Sequence, residues 1–168
     1  MQKTAIFDPV DQAALLGACE SENEYIPIWL MMRCGIHPSD IVNARTKFAI
    51  TNGVLMWKRA KNSRPRRELI PPQVLPRLVA WMKKGRKVSR VSYFRIVGRV
   101  GERVGHPEYS PMTLRHTFCL DQIRFYNAMD RPPPDFISLI AQKMGCSRTV
   151  VQQNYIDLSQ WERLGGDE

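Results

Sequence analysis

Cysteine and histidine are too few, and too scattered, for a metal centre or a disulfide scaffold. Cys19, Cys34, Cys119 and Cys146 are widely spaced, with no Cys-x-x-Cys pair and no histidine at ligand spacing. That pattern predicts reduced thiols in a cytoplasmic protein and no metal site. Long apolar runs are missing as well: none approaches the ~18 residues of a membrane span. The start, Met1-Gln-Lys-Thr-Ala-Ile6, has no signal-peptide core. Internal repeats and low-complexity tracts are absent.

Acidic residues are scarce where basic ones crowd. Between Trp57 and Val104 there are 15 Lys and Arg against Glu68 and Glu102, a local charge of +13 in a chain of net +9. The remaining sequence is therefore slightly acidic. A concentrated basic middle predicts a polyanion bound on one face. The plainer reading of such a stretch is a solvated surface. Turn and proline signals interrupt it, which argues against a membrane-lying amphipathic helix. RNA is disfavoured because no aromatic-rich single-strand motif is present. With 168 residues, 43% of them hydrophobic and 24% charged, one domain with a sizeable core is expected.

Periodicity predicts a mostly helical chain. Asp8-Pro9 reads as a cap and first-turn proline for a helix to about Cys19. Tyr25 to Cys34 reads as a buried helix stopped by Gly35, and Pro38 to Asn43 as a short one. The period then changes. Lys47–Thr51 and Val54–Arg59 flank Asn52-Gly53, the strongest short hairpin signal, and Arg66–Ile70 gives a third strand. Helices are predicted over about Gln73–Lys84, Ser92–Val104, Met112–Ala128, Phe136–Met144, Ser147–Ile156 and Ser159–Leu164. The fold class is α+β, mostly helical, with one small three-stranded antiparallel sheet.

Three segments carry chemistry. Cys34-Gly-Ile-His-Pro-Ser-Asp-Ile41 opens the first, Pro111-Met-Thr-Leu-Arg-His-Thr117 the second, and Met144-Gly-Cys146 the third, with Tyr155 nine residues after Cys146. Their order and spacing resemble the catalytic domain of the tyrosine recombinase (phage integrase) family, over roughly Asp8 to Gln160. The family's segments usually read Thr-Gly-Leu-Arg-x-Ser-Glu-Leu, Pro-His-x-Leu-Arg-His-Thr and Leu-Gly-His. Arg115 therefore matches the second-segment arginine and Tyr155 the nucleophile, while His37 stands in place of the first arginine. Met112 and Cys146 replace the two histidines. The family's lysine maps to Lys61, within Arg59-Ala-Lys-Asn-Ser-Arg-Pro-Arg-Arg67, with Lys58 a neighbouring candidate.

The resemblance implies a chain that cleaves and rejoins double-stranded DNA through a 3′-phosphotyrosyl link, with no cofactor because that link stores the bond energy. Tyr155 would attack, Arg115 would clamp the phosphate, Lys61 would donate to the leaving 5′-oxygen, and His37 would act as a second clamp when protonated, with activity rising as pH falls. Arg33, one turn earlier, is another candidate substitute. The same residues have plainer readings: Arg115 as an ion-pair partner, Tyr155 as a ring capping the core, His37 as a helix-start residue, Lys61 as a phosphate contact, His116 as a structural hydrogen-bonding residue. Losing a transition-state arginine costs on the order of 10³–10⁵ in rate in phosphoryl transfer. A thioether or a neutral thiol cannot take a phenol proton. The three substitutions thus favour a second class of function, a non-catalytic DNA-binding accessory or regulatory protein on the same fold.

DNA-backbone contacts are expected from Arg59, Arg64, Arg66, Arg67, Lys83, Lys84, Arg86, Lys87, Arg90 and Arg95. The sequence is expected to form a single catalytic-type domain over 1–168, without the N-terminal helical core-binding domain of family members, either as a fragment of a longer recombinase or as a stand-alone protein that grips DNA from one side, and to associate with the nucleoid in a prokaryotic or viral setting. Residues 157–168 resemble the tail that family members pass to a neighbouring protomer; Trp161 and Leu164 either dock in trans, building a homo-oligomer on DNA, or fold back. An Arg115→Ala chain is expected to keep its fold and most DNA affinity.

Overall fold

A computed structural model describes residues 5–58, 64–84 and 88–153. Asp8 accepts the amide of Val10 at 2.8 Å and opens α1 (Pro9–Gly17), as its cap-proline pair predicts. Helix α2 (Glu22–Cys34) begins three residues before its predicted start and ends at Gly35, whose φ of 65° is left-handed. The early start follows from Glu22 and Glu24 in the first turn, where acidic side chains suit the positive end of a helix. From Ile26 to Met32 every residue is buried, so α2 is apolar all round and runs through the centre of the molecule.

His37 caps α3 (Pro38–Val42), and a turn of helix, α4 (Ala44–Lys47), follows. The sequence reading placed the first strand from Lys47. Instead Lys47 ends a helical turn, which brings its Nζ to 2.8 Å from the buried carboxylate of Asp40. A strand there would carry that ammonium away from its partner.

The sheet is antiparallel in the order β1 (Ala49–Thr51), β2 (Val54–Trp57), β3 (Arg66–Leu69). Thr51 pairs with Val54 across a two-residue turn in which Asn52 and Gly53 have φ of 51° and 76°. Left-handed values at both positions match the strand twist and are what Asn-Gly tolerates. Leu55 and Trp57 of β2 are buried in the core. In β3, Arg66 and Glu68 face the same half-buried side as the buried Ile70 that follows, while Arg67 and Leu69 are exposed.

Four longer helices complete the described fold: α5 (Leu75–Lys84), α6 (Arg90–Arg103), α7 (Pro111–Asn127) and α8 (Phe136–Met144). Past Gly145, helical structure resumes over 148–153, with Ser147 Oγ accepting the amide of Val150. One apolar cluster joins α1 to α6, the sheet and Leu114; a second joins the later part of α7 to α8 and Val151. Among the described residues no helix is long and apolar enough to cross a membrane.

Part of the basic middle is turned inward. Arg99 and Arg103 bind the nearly buried carboxylate of Glu24 at 3.0 and 2.6 Å, Arg103 also reaches Glu20 at 2.9 Å, and Arg77 pairs with Glu22 at 2.8 Å over the ring of Tyr25. Burial pushes the Glu24 carboxyl up, but bonds from Arg103, the Glu20 amide and Arg99 outweigh it and hold the group below its ordinary value. A carboxyl lowered on folding adds stability that is complete above its unfolded value, 4.5, and fades as pH falls through the native one. Glu24→Gln is therefore expected to lower Tm by roughly 5–10 °C at neutral pH, with the gap to wild type closing as the pH falls below 4.5. Asp121 runs the other way, because burial raises its carboxyl against the pull of Gln12 and Arg33. The variant-minus-wild-type difference, read by thermal melts across pH, isolates the Glu24 part; a gap that does not narrow with acid would refute it.

Candidate functional site

The second motif begins on a well-determined helix start. Ser110 and Thr113 form a reciprocal capping box, Thr113 N–H donating to Ser110 Oγ at 3.4 Å and Ser110 N–H to Thr113 Oγ1 at 3.1 Å, with Pro111 at the first helical position. That start fixes the rotation of α7. Met112 is 61% exposed, and Arg115, one turn later on the same side, is half-buried.

Arg115 ties the three motifs together. Its Nε donates to the carbonyl of Gly35 at 3.3 Å and one Nη to the carbonyl of Met144 at 2.7 Å. Those carbonyls lie at the C-terminal ends of α2 and α8, where helix geometry leaves oxygens without intrahelical donors and concentrates negative partial charge. A cation there is stabilised twice. The two bonds use two of the five guanidinium donors. The first motif (Gly35), the second (Arg115) and the third (Met144) thus meet at one side chain, although they are about 80 and 29 residues apart along the chain.

Packing under this junction is tight. The left-handed Gly35 lies against the ring of Phe118, so a β-carbon there would overlap the ring. Cys119 is buried beneath, its thiol pushed up to about 12 by burial and by the neighbouring Cys146 thiol, against the lowering effect of Arg115. Burial likewise raises Cys34, with Glu68 adding to it and Lys143 opposing. Cys146 is half-buried, its amide bonded to Ala141 O at 3.2 Å.

His37 follows Gly35 by two residues and is half-buried. Its Nδ1 accepts the amide of Ser39 at 3.1 Å and lies 2.6 Å from Ser39 Oγ. Nδ1 thus acts as the cap of α3, so the proton of the neutral ring sits on Nε2. Protonating Nδ1 would break the cap, which places a cost on the protonated clamp the sequence suggested. Arg33, the other proposed substitute, is drawn to Gln12 at 2.8 Å and Asp121 at 3.3 Å instead.

The third motif holds a residue the sequence reading assigned only to the DNA surface. Gly145 has φ 69°, and a β-carbon there would run into the guanidinium of Arg66 from β3. Glu68, on the same side of β3, meets Lys143 of α8 at 3.3 Å. Strand parity with Ile70 was the signal available: residues 66, 68 and 70 alternate onto one face. Among the other proposed DNA contacts, Arg64, Arg67, Lys83, Lys84, Arg90 and Arg95 are exposed, as is Lys58. Tyr155, Lys61, Arg59, Arg86 and Lys87 lie outside the described residues, as do Trp161 and Leu164.

No family model and no curated protein matches the sequence. Structure is more telling. A crystal structure of the XerA recombinase matches with a TM-score of 0.69 at 14% identity, over 97% of this chain and 65% of that one. The Tn1549 transposon integrase, solved in complex with transposon right end DNA, matches with a TM-score of 0.68 at 15% identity, over 98% of this chain and 67% of that one. The fold is that of the tyrosine recombinases. This chain spans about two-thirds of each of these neighbours, 65% and 67%. On the tyrosine recombinase fold seen here, the motif positions that can be placed are His37, Met112, Arg115 and Cys146, and the first, second and third motifs converge through Arg115.

Proposed function

We propose that this chain binds double-stranded DNA and cleaves and rejoins it in the manner of a tyrosine recombinase. The observation that supports this best is the junction at Arg115, which sets a guanidinium among the three motifs. In the proposed step the Tyr155 hydroxyl oxygen attacks a backbone phosphorus, the bond from phosphorus to the 5′-oxygen breaks, and Lys61 supplies the proton that makes the 5′-hydroxyl. The phenol proton passes to solvent or a neighbouring base. Arg115 offsets the charge that builds on the non-bridging oxygens, the largest contribution a protein makes to this chemistry. Assembly of several protomers on DNA through residues 157–168 belongs to the same reading.

A second reading, a DNA-binding accessory protein without cleavage, is favoured by three observations: Met112 is exposed where a histidine would serve, Cys146 packs beside Cys119, and His37 is engaged in capping. A nicked suicide duplex separates the two readings. The expected result is a covalent adduct on a denaturing gel that disappears in Tyr155→Phe. No adduct on a duplex that is demonstrably bound would decide for the accessory protein. Running the assay across about pH 5.5–8.5 tests His37, since a yield that climbs toward acid would assign it the clamping role and a flat profile leaves it as a cap. Affinity should fall with a log–log salt slope of about −5 if some six phosphates are contacted.

A further inference from the structure

We propose that the cleft between β1 and the last turn of α5 binds an amphipathic monocarboxylate, an apolar chain of roughly eight to ten carbons ending in one carboxylate. Ile50, Val79 and Met82 hold the chain, and the Lys83 ammonium meets the carboxylate. The inference goes beyond the DNA reading, and none of the four residues belongs to the three motifs.

The cleft follows from how the sheet ends. β1 is three residues long and lies at the edge of the sheet, with Ala49 and Thr51 exposed and Ile50 half-buried. Ile50 stands opposite the fully buried Leu55, so both side chains point to the face of the sheet that carries the core. On the helix, Val79 is followed by Met82 and Lys83 three and four positions later, which sets the three on one side. Leu78, next to Val79 in the chain, is buried in the core, and Ile50 and Met82 pack against the same apolar cluster. Between the edge strand and this side of α5 a space of about 410 Å³ remains. That volume lies within the ~300–1,000 Å³ range of small-molecule sites.

The chemistry of the lining selects the ligand. Three walls are apolar and the fourth is a lysine. Lys83 is exposed, so its stem lies along the apolar wall while its head stays at the mouth, in water. Its place in the last turn of α5, at the negative end of the helix, favours the charged form. Among the described residues no carboxylate pairs with that ammonium, whereas Lys47 and Lys143 are matched by Asp40 and Glu68. A small hydrophilic anion would leave the apolar walls wet. An uncharged or cationic amphiphile would leave the ammonium unmatched. An apolar chain with one anionic head satisfies both, and the flexible thioether of Met82 adapts to its shape.

The test follows the methyl resonances of Ile50, Val79 and Met82 in the whole chain during titration with decanoate, octanoate and decylammonium, each below its micelle concentration. The three residues are expected to move on one saturation curve with decanoate, at a Kd on the order of 0.1 mM. Octanoate, shorter by two methylenes, is expected to bind roughly ten-fold more weakly, because each buried methylene contributes a factor of about three to four. Lys83→Gln removes the charge at an exposed position and is expected to weaken decanoate roughly two- to five-fold, with decylammonium bound no more weakly than before. Val79→Phe fills the cleft and is expected to abolish saturation. Should that variant fail to fold, the chain-length series and Lys83→Gln carry the test. Equal affinity for decanoate and decylammonium overturns the site, as does equal affinity for octanoate and decanoate. So does unchanged decanoate affinity in Lys83→Gln. Shifts that spread without saturation over exposed methyls such as those of Leu69 and Val150 show adventitious surface binding and overturn it too.

Discussion

Replacing Arg115 with alanine is expected to lower Tm by roughly 5–15 °C and to abolish any covalent adduct with DNA. The two losses have different origins. The first comes from the carbonyls of Gly35 and Met144, which the guanidinium satisfies at 3.3 and 2.7 Å. Each is a charge-assisted bond at a half-buried helix end, and leaving both oxygens unpaired costs about 2–4 kcal/mol in total. The second comes from phosphate charge that the guanidinium would offset, with a penalty on the order of 10³ or more in rate. Sequence alone suggested a variant that keeps its fold unharmed; the geometry revises that, because the side chain is also a strut between α2 and α8. Arg115→Lys separates the two roles. A lysine keeps the charge but cannot reach both carbonyls from one planar fork, so it should recover part of the stability and little of the cleavage. Thermal melts followed by circular dichroism, and adduct assays run well below the variant's Tm, give the two readouts. An unchanged Tm in Arg115→Ala would mean that the strut carries no load.

Much of this arrangement could be read before any coordinates. Asp8-Pro9, Asn52-Gly53 and Gly35 are local signals whose physics is complete within a few residues, and each marks the start, turn or stop that was expected. The three motifs were legible for the same reason, being short and ordered along the chain. What escaped the sequence depends on distant partners. The helical turn Ala44–Lys47 forms where a strand was expected, since Lys47 answers a buried Asp40. Arg77, Arg99 and Arg103 counted toward a basic surface by composition, yet they neutralise Glu22, Glu20 and Glu24. Arg66 looked like one more surface cation because a linear sequence does not say which helix end lies across from a strand. Of the two readings of His37, a stand-in for an arginine and a helix-start residue, the cap it forms ahead of Pro38 matches the second.

Gly35→Ala should be a severely damaging small substitution, at about 3–5 kcal/mol, enough to unfold a marginal domain at 37 °C. Two penalties act together at this position. A φ of 65° is strained for alanine, and the added methyl would occupy the space of the Phe118 ring, which is itself buried. Neither can relax cheaply, because Phe118 belongs to the same helix as Arg115, and Arg115 holds the Gly35 carbonyl. Moving the ring away would draw the second motif off the first. Two companion variants tell the penalties apart. Asparagine tolerates the left-handed region, so Gly35→Asn would recover about 1 kcal/mol if backbone strain dominated and nothing if the ring contact did. Phe118→Leu removes the ring edge; on its own it costs stability, but combined with Gly35→Ala it should cost clearly less than the sum of the two. Denaturant melts on the four proteins supply the cycle. Additive losses would show that the methyl and the ring do not meet, and would separate the first motif from the second at the place where Arg115 joins them.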